Sequence, residues 1–220
     1  MNIAGKEVVL YPGRSAEAPL VVLNTVHGEG EEVLRAARSS GADLSLLVIG
    51  GLDWNRDLSP WEAPALSRGD EPFSGGADAY LEALTGEIMP RVMEEGGLEP
   101  GFCCIAGYSL AGLFSLYSLH RTDAFSRAAS VSGSLWFQGA CEFFRSNDFP
   151  RIPDRIYLSL GDKESKARHP VLSTVEDRTR EAFSHYQSKG IESVFELNPG
   201  NHFRDAAGRM ARGIRWILEA

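Results

Sequence analysis

Ser109 lies in the stretch Gly107-Tyr-Ser-Leu-Ala-Gly112, with small residues two before it, two after it and three after it. Five consecutive apolar residues, Phe102 to Ala106, come first and predict a strand buried on both faces. Leu113, Leu116, Tyr117 and His120 then recur at helical spacing, so a helix is expected to start directly after the serine. A serine at the tip of a tight strand-to-helix turn sits in a strained backbone conformation with its hydroxyl clear of the sheet. Small neighbours let the helix cross close over the strand. The helix start also aims free backbone N–H groups at whatever that hydroxyl attacks. The chemistry this suits is nucleophilic attack by the serine hydroxyl. Ala111 stands where G-x-S-x-G would end in glycine, and the plain alternative is a glycine-rich turn with an incidental serine, so partners for Ser109 are needed.

Serine is a poor nucleophile at neutral pH without a base, and the base needs an acid to orient it. Of the five histidines, His27 precedes Ser109, His120 and His185 fall in helical patterns, and His169 precedes a proline in a loop. His202 alone follows the serine from a loop just past a strand, in Asn198-Pro-Gly-Asn-His-Phe203, where proline and glycine make a tight return. The acid is expected after the strand that lies between these two. Asp162 and Glu164 both qualify, giving the chain order serine, acid, histidine.

Other elements must hold these residues together. Lys6–Tyr11, Leu20–Leu23, Leu44–Ile49, Ala128–Ser132, Ile156–Leu160 and Val194–Leu197 predict strands. Glu31–Ser39, Ala77–Glu95, Val171–Ser188 and Arg204–Leu218 predict helices, the second kinked or broken at Pro90. Between them, Leu52 to Gly76 is a long irregular segment with two tryptophans, a length more typical of a functional loop. Buried-type strands alternating with helices predict a single α/β domain over 1–220 with a mostly parallel sheet covered on both faces. Ligands of such sheets bind at the carboxyl ends of the strands. Asn24–Gly30, Gly50–Asn55, Ser109, Gly133–Phe137, Gly161–Glu164 and Pro199–His202 all fall there.

Bulk properties narrow the function. At 220 residues, 43% hydrophobic and 24% charged, the chain has the composition of a globular domain able to bury about 70% of its unfolded surface. A formal net charge of −8 without a lysine or arginine cluster argues against nucleic acid as a partner. No apolar run approaches a membrane span and no leader-like start is visible, so no membrane partner and a cytoplasmic location are expected. Three cysteines cannot all pair within the chain. Cys103 and Cys104 point to opposite faces of a strand, and with Cys141 they read as buried thiols of a reducing compartment. Homo-oligomerisation stays open.

With these residues in place the chain resembles the α/β-hydrolase superfamily, in particular its putative-esterase branch with esterase D and the enterochelin-esterase-like proteins. The resemblance rests on Leu23–Val33, Trp54–Trp61, Gly107–Gly112, Leu160–Glu164 and Gly200–Phe203, and spans residues 19 to 218. It implies an α/β-hydrolase fold without a large lid, and an acid three residues past the glycine that ends its strand. That marks Glu164, with Asp162 the alternative. It implies an oxyanion hole made by the N–H of Leu110 and one from Thr25–Gly28, with Val26 the candidate. The implied activity is a serine esterase working through an acyl-enzyme on Ser109, on a small soluble ester, with no cofactor and no metal. Trp54, Asn55 and Trp136 are the candidate substrate contacts; Trp61, Phe137 and Phe203 are further aromatics able to wall the pocket. A thioesterase, peptidase or siderophore esterase stays open within the class, and a catalytically silent binding module outside it.

Overall fold

The computed structural model describes residues 1–26, 28–39 and 41–219. Its first half runs β1 (Asn2–Ile3), β2 (Lys6–Tyr11), β3 (Leu20–Asn24), α1 (Gly30–Arg38), β4 (Ser45–Gly50), α2 (Trp54–Asp57), β5 (Glu62–Ala63), β6 (Phe73–Ser74), α3 (Ala77–Ala83) and α4 (Met89–Gly96). The second half runs β7 (Cys103–Tyr108), α5 (Leu110–Leu119), β8 (Arg127–Val131), α6 (Ala140–Ser146), β9 (Arg155–Gly161), α7 (Val175–Ser188), β10 (Glu192–Asn198) and α8 (Ala206–Leu218).

The main sheet has the order β1-β2-β4-β3-β7-β8-β9-β10. β1 and β2 pair antiparallel, as do β2 and β4, and the six strands from β4 to β10 are mutually parallel. This is the mostly parallel α/β sheet that the alternating pattern predicts and the α/β-hydrolase fold that the resemblance implies. The chain moves one way from β3 to β4, then jumps back over β3 to β7. The strand order therefore reverses between β3 and β7, and the crevice at such a reversal is where α/β sheets bind ligands.

Side chains alternate across each strand, so the sheet builds two cores. On one face Val33, Leu34 and Ala37 of α1 and Met210, Ile214 and Ile217 of α8 pack on Leu23, Val48, Cys104 and Val131. On the other, α3 to α7 cover Val22, Ile49, Ile105 and Leu158. Every residue of α5 is buried, from Leu110 to Leu119. A helix apolar all round belongs inside a fold, and this one is sealed between sheet and outer helices.

Most expected strands and helices appear within two or three residues of their predicted bounds. Three features differ. The expected helix Ala77–Glu95 is interrupted by a wide π turn over Leu84–Ile88, where Met89 N–H reaches back to Leu84 C=O. Pro90 lacks the N–H that would continue an α ladder and so starts α4 afresh. The stretch 52–76 is not structureless: it contains α2 and the β5–β6 hairpin, with Asp53 accepting from Arg56 N–H to start α2. Helix α6 was not anticipated, because its seven residues are too few to show a period.

The tightest packing lies where α5 leaves β7. A Cβ on Gly107 would come within 2.2 Å of the Ala111 carbonyl carbon, so no larger residue fits while the helix stays where it is. Gly86 lies in the helical run and has nothing within 4 Å of that position. Gly107→Ala is expected to lower stability by about 3 kcal/mol through overpacking. Gly86→Ala is expected to leave it unchanged or raise it by up to about 1 kcal/mol. Thermal melting of the two variants beside the wild type tests the contrast.

Candidate active site

Ser109 follows β7 directly and has φ 59° and ψ −123°, outside the regions that L residues favour. The turn is pinned from the next strand: Ser109 N–H donates to Val131 C=O (3.1 Å), and Ser134 N–H donates to Ser109 C=O (3.0 Å). Its hydroxyl lies 3.4 Å from Ser134 Oγ. Leu110 opens α5, so its N–H belongs to a first turn that the helix cannot satisfy by itself.

The turn after β9 supplies the carboxylates. Asp162 is held in a turn role: its Oδ1 accepts Gly200 N–H (2.8 Å), and its own N–H donates to Asn198 C=O (2.8 Å). It thereby ties the β9 turn to the loop after β10. The two segments are so close that a Cβ on Gly161 would come within 2.3 Å of Gly200 C=O. Glu164 instead turns inward and is buried. Its Oε2 accepts His202 Nδ1–H at 2.8 Å. Its Oε1 accepts from the Ser132 hydroxyl (2.6 Å), Gly161 N–H (2.6 Å) and the Arg209 guanidinium (3.0 Å). Burial by itself pushes this carboxyl up, but the hydrogen bonds from His202, Ser132 and Gly161 outweigh it and bring it to about 2.

His202 rides on a loop that turns at Gly200, with φ 111°. Its ring meets Tyr108 edge-on, centroids 5.3 Å apart, and the Tyr108 hydroxyl donates to its main-chain carbonyl (2.6 Å). With Nδ1 given to Glu164, Nε2 is the ring nitrogen left for another proton.

Ser109 and His202 line one cavity of about 600 Å3, at the reversal between β3 and β7. Leu23, Val33, Trp54, Ala206 and Met210 form apolar walls, and Val26 (50% exposed) and Phe203 (86% exposed) an apolar lip. Glu29, Glu32 and Asp205 add carboxylates, and among the described residues no lysine or arginine lines it.

The structure thus brings Ser109, His202, Glu164, Leu110, Val26 and Trp54 to one place. In the segment expected to complete an oxyanion hole, Thr25 N–H is already donated to Ile49 C=O (2.9 Å). Val26 follows it at the cavity, and His27 lies outside the described residues. Asn55 and Trp136 do not reach this cavity. Asn55 donates to Glu71 C=O (3.0 Å), and Trp136 packs on Phe73 and Phe137. Trp61 and Phe137 are likewise aromatic anchors, with Trp61 Nε1–H donating to Gln138 C=O (2.9 Å). The thiols lie elsewhere, and burial pushes Cys103 up to about 11 and Cys104 higher still. Among the described residues no cluster of three or more His, Cys, Asp or Glu could hold a metal ion, and no helix is long and apolar enough to cross a membrane.

Sequence reasoning missed Ser132, Tyr108 and Arg209. Arg209 carried a signal, since it falls on the stripe of α8 shared by Gly213 and Ile217, where a charge needs a buried partner. The low value of Glu164 has a consequence for stability. A carboxyl lowered on folding, from 4.5 to about 2, stabilises the fold above pH 4.5 and loses that contribution as pH falls towards 2. Glu164→Gln removes the titration. Its stability deficit against the wild type, at most about 3 kcal/mol near neutral pH, is expected to shrink on acidification below pH 4.5. Urea unfolding of both proteins between pH 3 and 7 measures this.

Known proteins are similar to this chain. The family model described as Putative esterase matches residues 24–208. The uncharacterized protein YbbA of Bacillus subtilis (strain 168) is 26% identical over 196 residues, covering 84% of this chain and 78% of YbbA. An IroE-like serine hydrolase from Shewanella oneidensis superposes with a TM-score of 0.75 at 20% identity, over 96% of this chain and 75% of that one. The siderophore hydrolase EstA from Aspergillus nidulans gives 0.71 at 19% identity, over 97% of this chain and 94% of that one. With the nucleophile-type turn, the parallel sheet and the family match in agreement, the chain belongs to the Putative esterase family of α/β-hydrolases and is a hydrolase acting on esters.

Proposed function

We propose that the protein is a serine carboxylesterase that cleaves small soluble esters through an acyl-enzyme on Ser109. The observation that carries this reading is the 2.8 Å contact from His202 Nδ1–H to Glu164 Oε2, beside a cavity shared with a serine on a strained strand-to-helix turn. Glu164 fixes the tautomer, so His202 Nε2 takes the Ser109 proton as the hydroxyl attacks the ester carbonyl. The N–H groups of Leu110 and Val26 stabilise the tetrahedral oxyanion. His202 then returns the proton to the departing alcohol. A water, deprotonated by the same imidazole, attacks the acyl-enzyme, and the imidazolium passes that proton to Ser109 Oγ as its bond to the acyl group breaks and the acid leaves. The three thiols outside any disulfide suit a cytoplasmic enzyme.

The cavity also favours certain esters. Only one short helix, α6, lies between β8 and β9, so among the described residues no large lid is inserted there. The carboxylates of Glu32 and Asp205, with no lysine or arginine among the described lining residues, disfavour an anionic substrate. The solved relatives that are siderophore hydrolases keep a siderophore ester within the class, in a neutral or cationic form. A silent binding module is the reading to be excluded by activity.

Treatment with a fluorophosphonate should place the adduct on Ser109, and Ser109→Ala should lose on the order of 10⁴–10⁶ in turnover with its melting temperature kept. Label on a different serine would refute the nucleophile. Glu164→Gln should lose roughly 10²–10⁴ in kcat, while Asp162→Asn, which loosens a turn, should mainly lower stability. The reverse pattern would move the acid to Asp162. Among p-nitrophenyl esters, acetyl and butyryl should be cleaved faster than long chains, and a neutral butyrate faster than the carboxylate-bearing succinate. Faster turnover of emulsified long chains would contradict the open, lidless site.

A further inference from the structure

Helix α8 carries an arginine that reaches the proposed acid, the backbone on either side of the histidine and the residue before the serine. Arg209 is 1% exposed. One terminal nitrogen donates to Glu164 Oε1 (3.0 Å) and to the Ser132 hydroxyl. The other donates to the Tyr108 hydroxyl (3.0 Å) and lies within reach of the carbonyls of Asn201 (3.3 Å) and Arg204 (3.4 Å). Those two carbonyls flank His202. Tyr108 precedes Ser109 and donates to the His202 carbonyl (2.6 Å). One guanidinium therefore meets the acid, both sides of the histidine loop, the turn after β8 and the residue before the serine.

We infer that Arg209 is a positioning residue for ester cleavage, bracing Glu164 Oε1 and the Asn201–Arg204 loop so that Glu164 Oε2 meets His202 Nδ1. The inference rests on the roles proposed above for Ser109, Glu164 and His202. Packing alone is a poor account of Arg209. A buried ion pair adds little stability over apolar side chains of the same volume, because both charges must leave water. What the planar fork adds is direction: its two nitrogens point at separate acceptors at fixed angles, which an apolar side chain or a lysine does not reproduce. Glu164 needs that direction, because only one of its oxygens may face the imidazole. Ser132 and Gly161 N–H share Oε1, and Gly161 packs against Gly200 of the loop that carries His202, whereas Arg209 donates both to Glu164 Oε1 and to the carbonyls of Asn201 and Arg204 on either side of His202.

The charge of Arg209 also gives a readout that a merely structural residue would not move. The titratable and charged groups around the Glu164 carboxylate are His202 from the loop after β10, Arg209 from α8 and Tyr108 from the end of β7, with Asp205 next beyond Tyr108. Removing the guanidinium leaves the whole carboxylate charge to favour the imidazolium. The acidic limb of kcat/KM should then move to higher pH.

The test compares Arg209→Met, Arg209→Lys and Ser109→Ala with the wild type on p-nitrophenyl butyrate, each rate normalised to folded protein by melting. Arg209→Met should lose about 10²-fold in kcat at nearly unchanged KM, with its acidic limb shifted upward. Arg209→Lys should recover part of kcat and keep the wild-type limb. Wild-type kcat in folded Arg209→Met, beside an inactive Ser109→Ala, overturns this inference alone. A loss with no shift of the limb reduces Arg209 to a structural residue and overturns it too. If Arg209→Met does not fold, Arg209→Lys decides: lowered kcat at unchanged KM supports the role, and wild-type kcat overturns it. Full activity in Ser109→Ala overturns the nucleophile, and the bracing role with it.

Discussion

A carboxylate taken out of water must find donors, and Glu164 finds them on every side. Ser132 comes from the end of β8, Gly161 from the end of β9, His202 from the loop after β10 and Arg209 from α8. Each is a separate piece of chain, so the buried charge works as a common anchor for the carboxyl end of the sheet. Its energetic balance runs through opposed effects: burial raises the carboxyl, and the hydrogen bonds lower it further than burial raised it. The network is nearly saturated, which is the condition under which buried polar groups give one geometry instead of several.

The serine side depends on packing instead of charge. Gly107 lets α5 pass so close to β7 that Ser109 must adopt its positive φ, and α5, buried throughout, cannot shift to relieve it. Among the described residues four others than glycine have positive φ. Three of them, Ser109, Ser132 and Asp205, lie at this end of the sheet, and Ala4 sits in the turn after β1. Strain is concentrated where a side chain has to be aimed, and the surrounding core holds it in place.

How far the sequence reveals this follows from where the information lies. The strand, elbow and helix around Ser109 were legible because the apolar run, the small residues and the helical period are contiguous. Asp162 and Glu164 stayed ambiguous because the choice depends on which way a turn faces, and that is set by Gly161 lying against Gly200, thirty-nine residues further on. Asn55 and Trp136 were expected at the cavity because they lie in loops at the right end of the sheet. Yet Trp136 joins an aromatic cluster with Phe73 and Phe137, and Asn55 bonds the far side of its own loop. Loop position gave the end of the sheet and not the facing of each side chain. Arg209 was missed because an arginine on a helix reads as solvated unless its whole stripe is weighed.

The helices α1, α5 and α8, which begin at the cavity, are not equivalent. Helix α1 carries Glu31 and Glu32 in its first turn, and the Asp205 carboxylate lies over the first turn of α8, close enough to collide with a Cβ on Gly208. Acids in these positions neutralise the positive end of a helix. Helix α5 has no acid in its first turn. Its first N–H groups are the uncompensated ones, and they start at Leu110, directly after Ser109. A negative charge developing on a carbonyl held there would meet a positive helix end, while the carboxylates opposite discourage an anion from settling in the ground state. Such an arrangement favours charge that appears during reaction over charge that arrives with the substrate, which is what hydrolysis of an ester through a tetrahedral oxyanion requires.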